Sequence, residues 1–399
     1  VTTTRATSTP RSRPNAPPKK RSAPPRPDSL ITWVTAQVST VEANATGTGL
    51  HPVTRVGKFT NLQELLSLSS VLTDVVTRNQ VASGRTGLTL PELAGGRRTI
   101  ITITPSQEVK DFITDLAHRA ASIDPKRMDL DNILKISNDG RNVSLDPRLA
   151  NLAKPETSRA KTVADEIMRI HRQTADNVYL SPDTKAPMER TGGLQIVFCD
   201  RGTPKEGQSF SMYSAIRDEL VEQGLDPAAI RFIHDARTAD ERLQLFDQCN
   251  RGEVSVLIGS TEKMGTGTNV QTRAVALHHV DVPWRPADLE QREGRAIRQG
   301  NQNAEVEILN YVTEGSFDTF MWQKVEAKAM FIEQIKRNEV DATEVDDIGG
   351  EFTASAAETK AASTGDPRYI QQVKLTDEVA RLDALERSHF DAIARRERL

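Results

Sequence analysis

Cysteine is nearly absent from this chain of 399 residues: only Cys199 and Cys249 occur. They lie too far apart for the paired spacing of zinc or redox motifs, so no metal site is assigned and a reduced, cytoplasmic compartment is the expectation. No apolar run approaches the ~20 residues that a membrane helix needs, and the N-terminus lacks the apolar segment of a signal peptide. A soluble protein with no membrane partner is therefore expected. Neither sign of charge prevails. With a net charge of −3, no global basic field announces nucleic acid, and any surface for it has to be local. Two catalytic signatures are missing as well: no G-x-x-x-x-G-K-S/T loop cradles a phosphate, and no acidic Asp-Glu-x-His run holds magnesium. The Gly84-Arg85-Thr86-Gly87 run is too short for the first and has no lysine. A small-molecule enzyme finds no nucleophile, base or metal cluster to support it.

What is present is enough apolar material, 37%, to bury a core in at least one of the two or three domains that the length allows. Residues 1–30 are rich in Pro, Ser, Thr and Arg, with Lys19, Lys20 and Arg21 in a row, and are expected to form a disordered basic tail. Residues 31–105 read as a remnant or linker. They show helical spacing only at Leu62, Leu65, Leu66 and Leu72, with a candidate short strand near residues 53–59. At residues 98–104, RTIITIT alternates as a strand does, and Thr104, Pro105 and Gln107 combine an N-cap, a first-turn proline and a capping-box partner.

Residues 106–338 carry the main domain. Apolar stripes mark helices at Val109, Phe112, Ile113, Leu116 and Ala120, and at Val163, Ile167 and Ile170. Strands at residues 194–199, 231–234, 254–258, 274–280 and 306–312 then alternate with helices. One helix bears Met212, Ile216 and Leu220; another bears Leu243, Leu245 and Phe246 and opens on a capping box of Thr238 and Glu241. That alternation is the pattern of an α/β, doubly wound parallel sheet. Such sheets bind ligands beyond the carboxyl ends of their strands, where Asp200, Ser260, Thr261 and Asp281 fall. A helix with Phe317, Met321, Val325, Ile332 and Ile335 closes the domain. Residues 339–365 read as a flexible acidic linker. Residues 366–399 read as an amphipathic helix whose stripe is too irregular to specify a coiled coil.

Residues 288–300 read as a helix that presents Gln291, Arg295 and Arg298 at i, i+4 and i+7, hence on one face. Two permanently charged guanidiniums side by side repel unless an anion faces them, and their planar forks fit phosphate oxygens. Gly294 clears room for a close approach at a cost in helix stability. A solvated charged helix, with Glu293 neutralising its neighbours, fits the same residues. Upstream, Gly265 and Gly267 lie in a loop after a strand, where bare amides can turn toward an anion; an ordinary glycine turn would look the same. Trp284 reads as a core or interface aromatic. His278 and His279 face opposite sides of a strand and cannot share a metal, which leaves core packing and solvent as their expected fates.

Taken in order, these segments resemble a family. Residues 291–302, QREGRAIRQGNQ, resemble the sixth motif of superfamily 2 helicases and most nearly that of the SNF2-like branch. Residues 260–270, STEKMGTGTNV, resemble its fifth motif, and Asp281, Trp284 and Pro286 resemble its intervening Asp-x-x-Trp-x-Pro element. Trp33 with KFTNLQELL, and the stretch from Leu134 to Leu149, resemble large mobile-element proteins of phages and plasmids that fuse an adenine DNA methyltransferase to an SNF2-like helicase.

The resemblance implies a RecA-like second lobe of an ATP-dependent DNA helicase or translocase. On it, Arg295 and Arg298 would be arginine fingers and Gln291 would orient the nucleotide or the attacking water. Gly265, Gly267 and Asn269 would line the nucleotide side, while Ser260 and Thr261 would touch the DNA backbone. ATP is the implied cofactor. Its phosphate cradle and Mg2+ would come from a first lobe, in cis or in trans, since this chain would start after that lobe has ended. No ATPase activity is expected of the chain alone. An adenine DNA methyltransferase domain is a further implied partner, although its Asn-Pro-Pro-Tyr-like motif does not occur here. The rival expectation is a nucleic-acid-binding or assembly module that keeps the fold and has no ATPase role.

Overall fold

The computed structural model describes residues 35–43, 50–60, 67, 71, 73, 90–122, 131–205, 207–208, 210–264, 267–337 and 344–346. The expected basic tail, the leucine-spaced helix near residue 65 and the C-terminal amphipathic helix lie outside them. Two strands, β1 (Thr35–Ala43) and β2 (Leu50–Thr60), pair antiparallel, so the short strand expected near residues 53–59 is one partner of a longer ladder.

The main body runs β3 (Glu92–Leu93), β4 (Thr99–Ile103), α1 (Gln107–Ala121), α2 (Ile133–Leu145) and α3 (Arg159–Gln173). It continues through β5 (Leu194–Phe198), α4 (Met212–Glu222), β6 (Ile230–Phe232), α5 (Ala239–Arg251) and β7 (Val256–Gly259). After these come α6 (Thr261–Met264), β8 (Ala274–His279), α7 (Pro286–Glu293), β9 (Glu305–Thr313) and α8 (Phe317–Arg337). A last strand, β10 (Glu344–Asp346), pairs with β2 inside the segment expected to be a flexible acidic linker.

Seven strands form one parallel sheet in the order β9-β8-β5-β7-β6, with β3 and β4 pairing successive stretches of the outer side of β9. The α/β expectation is met, and the run of apolar residues in β5 is buried at every position because both faces are covered. Val197, Val256, Ile258, Leu309 and Tyr311 meet α3 and α4 on one face. Ile196, Phe198, Leu257, Leu277 and Ile308 meet Leu245, Phe246 and Cys249 of α5 on the other. A third cluster joins α1 and α2 to α8 and includes Val282 and Leu289.

Several expectations are corrected by packing. Strands β3 and β4 lie within residues 31–105, so the stretch read as a linker supplies part of the sheet. Helix α1 is capped by Ser106, whose Oγ accepts from Val109 N at 3.4 Å. Thr104 is not the cap, because Pro105 keeps it extended and Gln107 bonds Asp111 instead. Leu243 stays 64% exposed on the outer side of α5, and Ile332 is exposed on α8. Both fit a helical stripe on paper but sit outside the arc that is buried, against the sheet for α5 and against α1 and α2 for α8. The box of Thr238 and Glu241 forms with both of its hydrogen bonds.

Candidate functional site

The carboxyl ends of β5, β7 and β8 are sewn together by one buried guanidinium. Asp281, just past β8, accepts through Oδ2 from the backbone of Asp200 at 2.7 Å and of Arg201 at 2.9 Å. Asp200, just past β5, accepts from Thr261 N at 2.6 Å and from Thr261 Oγ1 at 2.9 Å. Arg292 of α7, 0% exposed, completes the set. Its Nε donates to Thr261 Oγ1 at 2.7 Å, and its Nη2 to Asp200 Oδ2 at 2.7 Å and Asp281 Oδ1 at 3.1 Å. Nη1 donates to the carbonyl of Asp281 at 3.0 Å and lies 3.4 Å from His279 Nδ1.

Charge is distributed unevenly across this cluster. Burial pushes the Asp281 carboxyl up, and the neighbouring Asp200 carboxylate adds to it, so its pKa is raised despite Arg292 and Arg141. Burial pushes Asp200 up too, but Arg292 and the two donors of Thr261 outweigh it and hold that pKa below the ordinary carboxylate value. The two carboxylates that share Arg292 are thus shifted in opposite directions, as expected when their surroundings are unequal.

Next along the chain, Glu293 takes Arg98 in a two-point pair at 2.6 and 3.0 Å, with His279 Nε2 3.8 Å away. Helix α7 then ends at Glu293, with Gly294 as its cap. The expectation of one helix through residue 300 is therefore corrected. Turns carry the chain onward, because Ala296 and Ile297 must drop into the core beneath the sheet. The two expected arginines meet all the same. Arg295 Nη1 and Arg298 Nη1 donate to a single carbonyl, that of Thr268, at 3.3 and 3.4 Å. Burial, then the charge of Arg298, lowers the pKa of Arg295. Gln291 is half-buried on α7, one turn before.

The glycine loop faces these arginines. Thr268 Oγ1 donates to Met264 O at 2.8 Å and fixes its curve, while Gly267 is exposed at φ +71°, a conformation that disfavours any side chain. Asn269 is exposed, and its carbonyl accepts from Asn250 Nδ2 at 2.7 Å. Gly265 lies outside the described residues. Ser260 and Thr261 are buried: Ser260 Oγ accepts from Lys263 N at 3.3 Å, and the hydroxyl of Thr261 is spent on Asp200 and Arg292. Trp284 packs on the third core cluster with the Arg141 guanidinium 4.1 Å from its ring centre.

The expected solvent fate of one adjacent histidine is not observed. His278 bonds Tyr311 and Gln195, His279 contacts Arg292 and Glu293, and both are wholly buried because helices cover both faces of the sheet. Among the described residues, no group of three or more His, Cys, Asp or Glu is placed to hold a metal ion, and no helix is long and apolar enough to cross a membrane.

Sequence reasoning passed over Arg292 and Arg98, and gave Glu293 only the part of neutralising its neighbours on a solvated helix. A signal was available: Leu289, Arg292, Glu293 and Ala296 share the i, i+3, i+4, i+7 face that apolar residues begin and end. Charged residues on an otherwise inward face call for buried partners.

Comparison with known proteins agrees with this geometry over part of the chain. The helicase conserved C-terminal domain family model matches residues 187–300, which contain the glycine loop and both arginines. Over 166 residues the chain is 28% identical to the defense against restriction protein B of Escherichia phage P1. The match takes in 42% of this chain and spans only 6% of that relative. Similar solved structures include the DUF1998 helicase MrfA bound to DNA, with TM-score 0.31, 15% identity, and 43% of this chain and 20% of that one covered. The C-terminal part of the Fun30 ATPase domain has TM-score 0.32, 14% identity, and 57% and 71% covered. T4 UvsW has TM-score 0.32, 13% identity, and 57% and 33% covered.

Proposed function

We propose that this chain is the second, RecA-like lobe of an SNF2-type, ATP-dependent DNA helicase or translocase, and that it supplies Arg295 and Arg298 as arginine fingers. The observation that carries this reading is the convergence of both guanidiniums on the carbonyl of Thr268, in the glycine loop beyond the carboxyl edge of the sheet. A neutral carbonyl shared at 3.3 to 3.4 Å does not cancel two positive charges, so an anion facing the pair is attracted by both. During hydrolysis, negative charge spreads over the γ-phosphate oxygens, and paired guanidiniums held in advance stabilise it. Contributions of this kind are worth roughly 10³ to 10⁵ in rate.

The sequence has no lysine-bearing phosphate loop or acidic magnesium motif, so the triphosphate and its Mg2+ would sit on a first lobe, in cis or in trans. Gln291 would orient the nucleotide or the attacking water, with Gly265, Gly267 and Asn269 lining that side. The DNA backbone would run past the turn that begins at Ser260 and Thr261, the latter holding the turn in shape. Similarity to a phage protein supports a mobile-element origin, and in the resembled fusions an adenine DNA methyltransferase shares the polypeptide.

The test is reconstitution. The purified chain should not hydrolyse ATP, and adding a matched first lobe with DNA should create DNA-stimulated hydrolysis. Robust turnover by the chain alone, or none after the lobes are shown to associate on DNA, would overturn the assignment.

A further inference from the structure

Arg292 stands between the residues assigned to DNA and those assigned to the nucleotide. It is wholly buried and joins the ends of three strands through Asp200, Thr261 and Asp281. Such a cluster is a poor source of net stability, because removing the charges from water offsets most of their attraction. Direction is what it provides. A planar fork that bonds three loops at once fixes their mutual positions in a way that a lysine, a single point of charge, does not.

Connectivity makes that direction consequential. Thr261 opens the loop that Thr268 belongs to, and Arg292 precedes Arg295 and Arg298 by three and six residues. Loop and arginine segment therefore meet twice: at the DNA-side end through Arg292 and Thr261, and at the nucleotide-side end through the Thr268 carbonyl. Glu293 ties the same segment to Arg98, so it has little freedom to follow one contact without the other.

Resting on the function proposed above, we propose that Arg292 is a positioning residue that locks the DNA-side turn at Thr261 and the arginine pair into one unit. DNA contact at the turn then sets where the arginines point. Arg292 itself touches neither ligand.

The test compares Arg292→Lys, Thr261→Val, Thr261→Ser and the Arg292→Lys/Thr261→Val double variant. Amide hydrogen exchange is read on the chain alone, and kcat, KM for ATP and Tm on the chain with a matched first lobe. In Arg292→Lys, exchange should rise together in residues 260–264 and 295–298 while β5 and β9 stay protected. DNA-stimulated kcat should fall roughly tenfold or more with KM little changed, the mark of an interaction that matters only beyond substrate binding. Thr261→Val should act alike, Thr261→Ser should restore function, and the double variant should be no worse than the worse single one, as residues acting as a unit require.

Exchange rising across the whole sheet with a collapse in Tm, or additive losses in the double variant, would reduce Arg292 to a structural anchor and overturn the proposal. Absence of ATPase in the reconstituted wild type would remove the motor reading instead. The exchange data alone would then decide, and loosening of one segment without the other would sink the coupling.

Discussion

The buried histidines give the residue scale its clearest thermodynamic consequence. Burial, then the charge of His279, lowers the pKa of His278 to about 3, and burial lowers that of His279 to about 4. Unfolded histidine titrates near ~6.5, so below that pH the unfolded chain takes up protons that the folded chain refuses. Stability should therefore be fully present above the unfolded pKa and fall as pH drops from about 6.5 toward 4 and then 3. Urea unfolding at a series of pH values checks this: His278→Gln, which can still bond Tyr311, should flatten the acid slope, and an unchanged slope would contradict it. Burial also raises the thiol pKa values, that of Cys249 to about 12 and that of Cys199 well above its ordinary value. Neither thiol should react with a thiol reagent at pH 8 until the chain unfolds; labelling of the native protein would contradict this placement. What was legible at this scale followed from exposure. Arg295 and Arg298 stand out in the sequence because two cations at helical spacing call for an anion, whereas Arg292 has its partners, Asp200, Thr261 and Asp281, at positions distant in sequence and adjacent only in the folded sheet.

Elements were legible where local chemistry decides them. The continuous apolar run of β5 and the Thr238–Glu241 cap are local signals, and both appear in the fold. Helix α7 was overextended because the spacing of Gln291, Arg295 and Arg298 suits a helix, while the demand that Ala296 and Ile297 enter the core is tertiary. Helix α2 had no visible logic at all. Its reason is a neighbour: a Cβ on Gly140 would fall 2.4 Å from the Phe317 ring, so the glycine lets α2 and α8 approach closely. Gly140→Ala should therefore destabilise the fold by about 1–3 kcal/mol through overpacking, even though alanine is the better helix former. Chemical denaturation measures it, and a variant as stable as wild type would show that Phe317 can move aside.

At the scale of the molecule, the sheet gathers Asp200, Thr261 and Asp281 at one edge, as the rule for open parallel sheets anticipates. The share of residues 90–103 in that sheet was not legible, because β3 and β4 pair with β9, some two hundred residues away in the chain. With no global basic field, binding to DNA should be weak and indifferent to sequence, and should fall steeply with salt as counterions are released. Titration of labelled single- and double-stranded DNA at several salt concentrations tests this; strongly sequence-selective or salt-independent binding would contradict it. On the proposed reading the paired arginines make contact with the γ-phosphate held by another lobe, and that contact can be measured. Its most direct test is the ATPase rate of the reconstituted pair with Arg298→Ala and Arg298→Lys, with melting temperatures alongside. Arg298 is exposed and, among the described residues, bonds the Thr268 carbonyl at 3.4 Å, so both variants should melt as wild type does. Both should lose activity by roughly 10³ or more, since lysine keeps the charge and lacks the fork. Full activity in the alanine variant would contradict the finger assignment, and a collapse in melting temperature would show that the arginine serves the fold instead.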